Sequence, residues 1–162
     1  MKTRIIKALL LLCALSSSIM FVSCASKNKE LSSVLKYAQK NFRNIDLSQE
    51  NCIFIIGEKG CIGCNQRISL LASQYLNKEG NVYFIINPSN GGTTIDISPY
   101  WDATKQDNIS FDSTGYFDSK KMSYSYIVFT NNNKTDTLLL GLANTMDYDT
   151  TYTKQRLSTI IK

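Results

Sequence analysis

The sequence has no histidine, only two prolines and no apolar run long enough to cross a membrane as a helix. Without histidine, the protein cannot use an imidazole as a general base, and zinc sites of the Cys/His type are excluded. The formal net charge of +5 is small for 162 residues, and the lysines and arginines form no cluster. We therefore expect no nucleic-acid partner.

The first 23 residues have the features of an export signal. Three basic residues open the chain: Lys2, Arg4 and Lys7. The apolar core at 8–14 is too short to span a membrane, and serines interrupt it soon afterwards. The segment from Phe21 to Cys24 resembles the lipobox of bacterial lipoproteins, although phenylalanine replaces the usual leucine. We expect lipidation of Cys24; cleavage without lipidation and an uncleaved anchor are the alternatives.

The expected signal peptide (1–23) is followed by a polar tether (24–30) and by one domain (31–162). Cleavage removes three basic residues and no acidic residue, so the net charge falls from +5 to +2 in the remaining 139 residues. We expect a lipid anchor in the cell envelope with the domain facing the periplasm, because the tether lacks an acidic run. Export to an oxidising compartment also permits disulfides.

One stretch combines a buried strand, a glycine-flanked turn and two cysteines. The apolar run 53–56 predicts a strand that is covered on both faces, and Gly57 and Gly60 end it. After Cys64, apolar residues recur at the helical period: Ile68, Leu71, Ala72, Tyr75 and Leu76. Cys61 therefore lies at or just before the first helical turn, where unpaired N–H groups and the macrodipole favour a thiolate.

Strand, turn, C-x-x-C and helix, followed by a second apolar strand at 82–86, resemble the active-site half of the thioredoxin family. The resemblance extends from about Asn51 to Leu142. It implies an α/β fold with a mixed sheet of four to five strands, in which two parallel strands pair with an antiparallel hairpin and helices flank the sheet. It also implies thiol–disulfide exchange with protein thiols and disulfides, with Cys61 attacking and Cys64 resolving.

The rest of the chain supplies the other elements of such a fold. In chain order we expect a helix from Leu31 to near Asn44, a partly packed loop or short helix within 93–108, a short strand at 109–111, hairpin strands at 124–129 and 135–142 around three asparagines, and a terminal helix around 157–161.

The chain departs from the family pattern at three positions. Ile55 stands where the family commonly has a buried acid, and Glu58 is either a substitute or a solvated turn residue. The dipeptide between the cysteines is Ile62-Gly63 instead of Gly-Pro. Tyr124 stands where the family has a cis-proline, so we expect a trans bond there and a narrow choice of substrates. Lys59 adds positive charge beside Cys61, although a solvated lysine contributes little.

A metal site within one monomer is not expected, nor is another cofactor; a metal shared by four thiolates of two chains is the alternative that stays open. Cys52 is separated from Cys61 by nine residues, ~25–30 Å if the chain is extended, which is too far for one ion within a monomer. Cys52 is predicted to be a small buried apolar residue.

The aromatic residues and the function each leave an alternative open. Four aromatic residues either line a groove beside Cys61 or, as we expect, form the core and rim of the sheet: Tyr116, Phe117, Tyr124 and Tyr126. The alternative function is a non-catalytic thioredoxin-like lipoprotein that only binds its partners.

Overall fold

A computed structural model describes residues 32–57, 62–88, 96–102, 107–119, 125–140 and 146–161. Several predicted site residues lie outside these ranges: Cys24, Glu58, Lys59, Cys61 and Tyr124. Among the described residues, no helix is long and apolar enough to cross a membrane.

In the described residues, five strands form one mixed sheet with helices against both faces. The strands are β1 (Asn51–Gly57), β2 (Val82–Asn87), β3 (Ile109–Phe111), β4 (Tyr126–Asn131) and β5 (Lys134–Leu140). The helices are α1 (32–41), α2 (Ile62–Ser73), α3 (Ser98–Asp102), α4 (Tyr116–Ser119) and α5 (Met146–Ile160). The strand order is β3-β2-β1-β4-β5. β1, β2 and β3 run parallel, and β4 and β5 are antiparallel to their neighbours. The α/β class and the mixed sheet are confirmed.

Strand β1 lies at the centre of the sheet and is buried over its whole length. Its side chains alternate between two apolar clusters, as the period of a strand requires. Cys52, Phe54 and Ile56 pack in the cluster that includes residues of α2, α3 and α5. Ile53 and Ile55 pack in the other cluster, with residues of α1 and α4. Burial of each phenylalanine or isoleucine side chain of β1 stabilises the fold by about 1.5–3 kcal/mol.

The predicted hairpin is present and turns at two asparagines. Asn131 pairs with Lys134, and the two residues between them, Asn132 and Asn133, have φ of 50° and 59°. A two-residue loop of type I′ requires positive φ at both positions, which asparagine tolerates better than most residues. The Asn133 N–H donates to the Leu47 carbonyl over 2.7 Å, so the loop is also tied to the connector before β1.

Three elements differ from the prediction, and one of them is α5, which begins at Met146 although a terminal helix was predicted only around 157–161. Helix α2 ends at Ser73 and continues as a turn with i to i+3 hydrogen bonds, such as Tyr75 N–H to the Ala72 carbonyl over 2.9 Å. Tyr75 and Leu76 are nevertheless buried, because the tighter turn still directs them to the sheet. Helix α4 was not predicted; it starts where Asp112 accepts hydrogen bonds from the Tyr116 and Phe117 N–H groups.

Three of the four aromatic residues singled out in the sequence are described by the structure, and they belong to the core and its rim. Phe117 and Tyr126 are buried, and Tyr116 is partly buried against the same cluster. The expectation of core and rim is therefore confirmed for these three residues.

Helix α5 closes against one end of the sheet. The Arg156 side chain forms an ion pair with Glu50, and its guanidinium lies 4.4 Å from the Phe129 ring centroid. Ile161 bridges Gly80, which has a φ of +144°. A Cβ on Gly80 would lie 2.8 Å from the Ile160 carbonyl oxygen, so this close approach requires glycine.

Candidate functional site

The candidate site lies where the central strand ends and α2 begins. β1 ends at Gly57, and Cys61 directly precedes α2 in the sequence. Cys64 is the third residue of that helix. The carboxyl ends of β1 and β2 lie at the same edge of the sheet, because the two strands are parallel. This edge is the usual place for ligands and reactive groups in open α/β sheets.

The side chain of Ser125 completes the end of the central strand. The paired ladder between β1 and β4 ends at Ile55 and Tyr126. Beyond it, the Gly57 N–H donates to Ser125 Oγ over 3.1 Å, and Ser125 Oγ donates to the Gly57 carbonyl over 3.0 Å. Both residues are buried, and buried backbone groups need partners. One hydroxyl therefore satisfies two backbone groups immediately before the cysteine segment.

Asn65 joins the first turns of α2 to the start of β4. Its side chain is only 2 % exposed, and its Oδ1 accepts a hydrogen bond from the Ser125 N–H over 3.2 Å. Asn65 follows Cys64 directly, and Ser125 follows Tyr124 directly. The hydrogen bond thus links the neighbours of two predicted site residues. This hydrogen bond fixes the position of the first turns of α2 relative to the sheet.

The dipeptide between the two cysteines is accessible to solvent. Ile62 is 52 % exposed, Gly63 is exposed, and a Cβ built on Gly63 would have no atom within 4 Å. The first turn of α2, as described from Ile62, contains no acidic side chain. No carboxylate of that turn therefore offsets the positive end of the helix dipole, which favours an anion at this terminus.

Helix α2 is held firmly beneath the site. Ile68, Leu71 and Ala72 are buried in the cluster against β1. On the outer side, the Tyr100 hydroxyl of α3 donates to the Ser69 carbonyl over 3.0 Å. Burial raises the pKa of Tyr100 to about 12, so this phenol stays protonated at any physiological pH. A rigid helix is what a dithiol pair needs to keep its geometry.

Cys52 does not belong to the site. It is fully buried near the start of β1, and burial raises the pKa of its thiol well above its ordinary value. A buried, protonated thiol is a poor nucleophile. The prediction that Cys52 is a small buried core residue is confirmed. Ile55 is also fully buried, so the core of β1 contains no carboxylate at that position.

The structure brings together two residues that the sequence analysis did not single out, Asn65 and Ser125. Each had a detectable signature. Asn65 lies three residues before Ile68 and seven before Ala72, so it is a polar residue on the apolar stripe of α2. Ser125 interrupts the apolar stretch 124–129 that was predicted as the first hairpin strand and directly precedes β4. A polar residue in a core position requires a partner, and here the two residues partner one another.

Comparisons with protein-family models, with curated proteins and with solved structures found no match. Within the described ranges, no group of three or more His, Cys, Asp or Glu side chains could hold a metal ion. The function is therefore inferred from the residues of this chain and their geometry.

Proposed function

We propose that the protein is a thiol–disulfide oxidoreductase with a thioredoxin-like fold, in which Cys61 attacks and Cys64 resolves. The observation that carries this proposal is the location of the C-x-x-C segment. It lies at the N-terminus of a packed helix that follows the buried central strand in the chain. Such a terminus stabilises a thiolate through its unpaired N–H groups and its dipole.

The strand arrangement supports the thioredoxin-like assignment. β1 and β2 form a parallel pair joined through α2, and the β4–β5 hairpin pairs antiparallel with the other edge of β1. These are the pairings that the resemblance implies. The parallel edge strand β3 comes from the segment between β2 and the hairpin, so the proposed fold carries one insertion with its own strand.

The proposed reaction needs no cofactor. The Cys61 thiolate attacks one sulfur of a substrate disulfide, forming a mixed disulfide and releasing the other substrate sulfur as a thiolate. Cys64 then loses its proton and attacks the Cys61 sulfur, which releases the second substrate sulfur. The substrate disulfide gains two electrons, and Cys61 and Cys64 become a disulfide. The reverse sequence oxidises a substrate dithiol.

The residues around the cysteines favour a narrow substrate range. Ile55 provides no carboxylate to accept the Cys64 proton, so Glu58 or solvent takes that role in the proposal. Lys59 adds a positive charge beside Cys61. Tyr124 replaces the proline that presents a backbone edge to substrates in the family. With this residue, we expect weak general disulfide reductase activity.

The proposed setting is the cell envelope. Lipidation of Cys24 would hold the domain at a membrane facing the periplasm, with residues 24–30 as its tether. Its partners there would be proteins with exchangeable thiols or disulfides.

Trapping of mixed disulfides tests the proposed function. In Cys64→Ser the mixed disulfide at Cys61 cannot be resolved, so we expect substrate adducts that disappear on reduction. Cys61→Ser is the matched control and should trap none. Non-reducing gels of the two variants give the answer. Equal trapping, or none in either variant, would favour a lipoprotein that binds partners without catalysis.

A further inference from the structure

A cleft lies between α1 and the turn that follows β3. Its volume is about 330 Å³, which is at the lower end of the range for small-molecule sites. The lining includes two lysines, three aromatic residues and a serine: Lys36, Lys40, Tyr37, Phe111, Tyr116 and Ser113. It is separate from the dithiol segment, because α1 packs with Ile53 and Ile55 whereas α2 packs on the opposite face of the sheet.

The positive charge of the cleft is not neutralised within the helix that supplies it. Lys36 and Lys40 are four residues apart, so they lie on the same face of α1. Residues 32–45 contain no acidic side chain. Within the described part of the chain, neither lysine forms an ion pair. Two ammonium groups beside the same cleft favour the binding of an anionic ligand.

The nearby Asp112 carboxylate does not line the cleft; it holds together the turn that bounds it. It is 2 % exposed, and its two oxygens accept three hydrogen bonds. These come from the Thr114 hydroxyl over 2.8 Å, the Tyr116 N–H over 3.0 Å and the Phe117 N–H over 2.8 Å. The turn is therefore fixed before any ligand binds, and the exposed Ser113 hydroxyl remains at the surface of the cleft.

The aromatic walls are also fixed. Tyr37 is buried, its hydroxyl lies 3.2 Å from Ser110 Oγ, and its ring centroid is 5.4 Å from that of Tyr116. The Phe111 side chain packs instead with the cluster on the α2 face of the sheet, where its ring stacks on Trp101 with the centroids 4.3 Å apart, so Tyr37 and Tyr116 supply the aromatic wall of the cleft. Flat apolar walls beside two cations suit a ligand with both an aromatic ring and a negative charge.

We propose that this cleft binds a small organic anion, a phosphate monoester or a carboxylate, that carries an aromatic ring. The anionic group lies between Lys36 and Lys40, where Ser113 can donate a hydrogen bond. The ring of the ligand lies against Tyr116. The site is independent of the proposed dithiol chemistry.

Phenyl phosphate is the probe for this site, and isothermal titration calorimetry together with amide NMR is the readout. We expect saturable binding to the purified protein, with amide NMR shifts at Ser113 and Thr114. Affinity should be about tenfold higher than for inorganic phosphate or for phenol, since each lacks one of the two groups. No saturation, or shifts confined to other residues, would overturn the proposal.

A lysine variant and its control test the electrostatic part. Lys36→Gln combined with Lys40→Gln should weaken phenyl phosphate binding about tenfold or more, since two charge-assisted contacts are lost. Lys154→Gln removes an exposed charge from α5, on the opposite face of the sheet, and should leave binding unchanged. All three side chains are exposed, so both variants should fold. Equal binding by the wild type and the double variant would contradict the proposal.

Vesicles distinguish a soluble ligand from a lipid headgroup. The purified protein should bind phosphatidylcholine vesicles with and without phosphatidylglycerol to the same extent, and excess phosphatidylglycerol vesicles should not displace phenyl phosphate. Vesicle binding that requires phosphatidylglycerol, is lost in the double lysine variant and competes with phenyl phosphate would instead assign the lysines to a membrane surface.

Discussion

At the scale of single residues, the Ser125 hydroxyl takes the place of the inter-strand backbone hydrogen bonds that Gly57 would otherwise make with β4. Its Oγ accepts from the Gly57 N–H and donates to the Gly57 carbonyl, and its own N–H donates to Asn65. Three structural elements therefore meet at one buried residue: the end of β1, the start of α2 and the approach to β4. This residue adjoins the proposed site without belonging to its chemistry.

The first prediction concerns this hydroxyl. Ser125→Ala should lower the free energy of unfolding by about 1–3 kcal/mol, because the buried Gly57 N–H and carbonyl both lose a partner. Ser158→Ala is the matched control. That hydroxyl also bonds a backbone carbonyl, but it is exposed on α5, so its loss should change stability by less than about 0.5 kcal/mol. Urea unfolding of both variants measures the difference, and equal losses would show that water replaces Ser125 Oγ.

At the scale of elements, the contact between α5 and the loop before β2 depends on backbone geometry. Gly80 has a φ of +144°, and a Cβ there would meet the Ile160 carbonyl oxygen at 2.8 Å and the Ile161 Cα at 3.0 Å. Both are backbone atoms, so relief requires α5 itself to shift. Gly115, before α4, also has a positive φ, of +67°, but a Cβ there would have no atom within 4 Å.

The second prediction compares these two glycines. Gly80→Ala should destabilise the protein by about 2 kcal/mol or more, because it combines backbone strain with a clash. Gly115→Ala should cost only about 1 kcal/mol, the penalty for a left-handed alanine without a clash. Chemical denaturation of the two variants at neutral pH provides the comparison. If Gly115→Ala proved the more damaging, the close approach of α5 to Gly80 would not be rigid.

The elements that sequence patterns predict well are those whose pattern has one physical meaning. The continuous apolar runs of β1 and β2 and the asparagine-rich hairpin turn were each predicted, although the turn was placed around three asparagines instead of at Asn132 and Asn133. Helix α4 was not, since its start depends on two hydrogen bonds from Tyr116 and Phe117 to Asp112, and its four residues show no period. The Asn65–Ser125 bond joins residues sixty positions apart, and only the folded sheet brings them together.

At the scale of the whole molecule, the titration of tyrosines governs stability in alkaline solution. Burial raises the pKa of four of them: Tyr37, Tyr75, Tyr83 and Tyr100. In the unfolded chain these phenols lose their protons near pH 10.0, whereas in the folded protein they hold them to higher pH. The unfolded state then binds fewer protons, so the contribution of these four tyrosines to stability is fully present below about pH 10 and falls as the pH rises above it. The Cys52 thiol, whose pKa burial also raises, adds a loss of the same sign.

The third prediction isolates the largest of these contributions. The pKa of Tyr100 is about 12 in the folded protein against 10.0 as the ordinary value, so its contribution to stability should fall by about 1 kcal/mol by pH ~11. Tyr100→Phe should be less stable than the wild type at neutral pH, because the bond to Ser69 is lost, but its stability should fall less between pH ~9 and ~11. Urea unfolding across this range measures both slopes, and parallel slopes would mean that Tyr100 is not buried as described.

The central position of β1 also has a consequence for biosynthesis. β1 is the earliest strand of the sheet, yet its neighbour β4 begins about seventy residues later. At about 5–20 residues per second, a ribosome takes roughly 4–14 s to supply that partner. β1, α2, β2 and β3 can assemble in order as they emerge, but one backbone edge of the most apolar strand stays open throughout. A nascent chain paused before Tyr126 is therefore a template for aggregation, which makes this interval the time at which a chaperone is most needed.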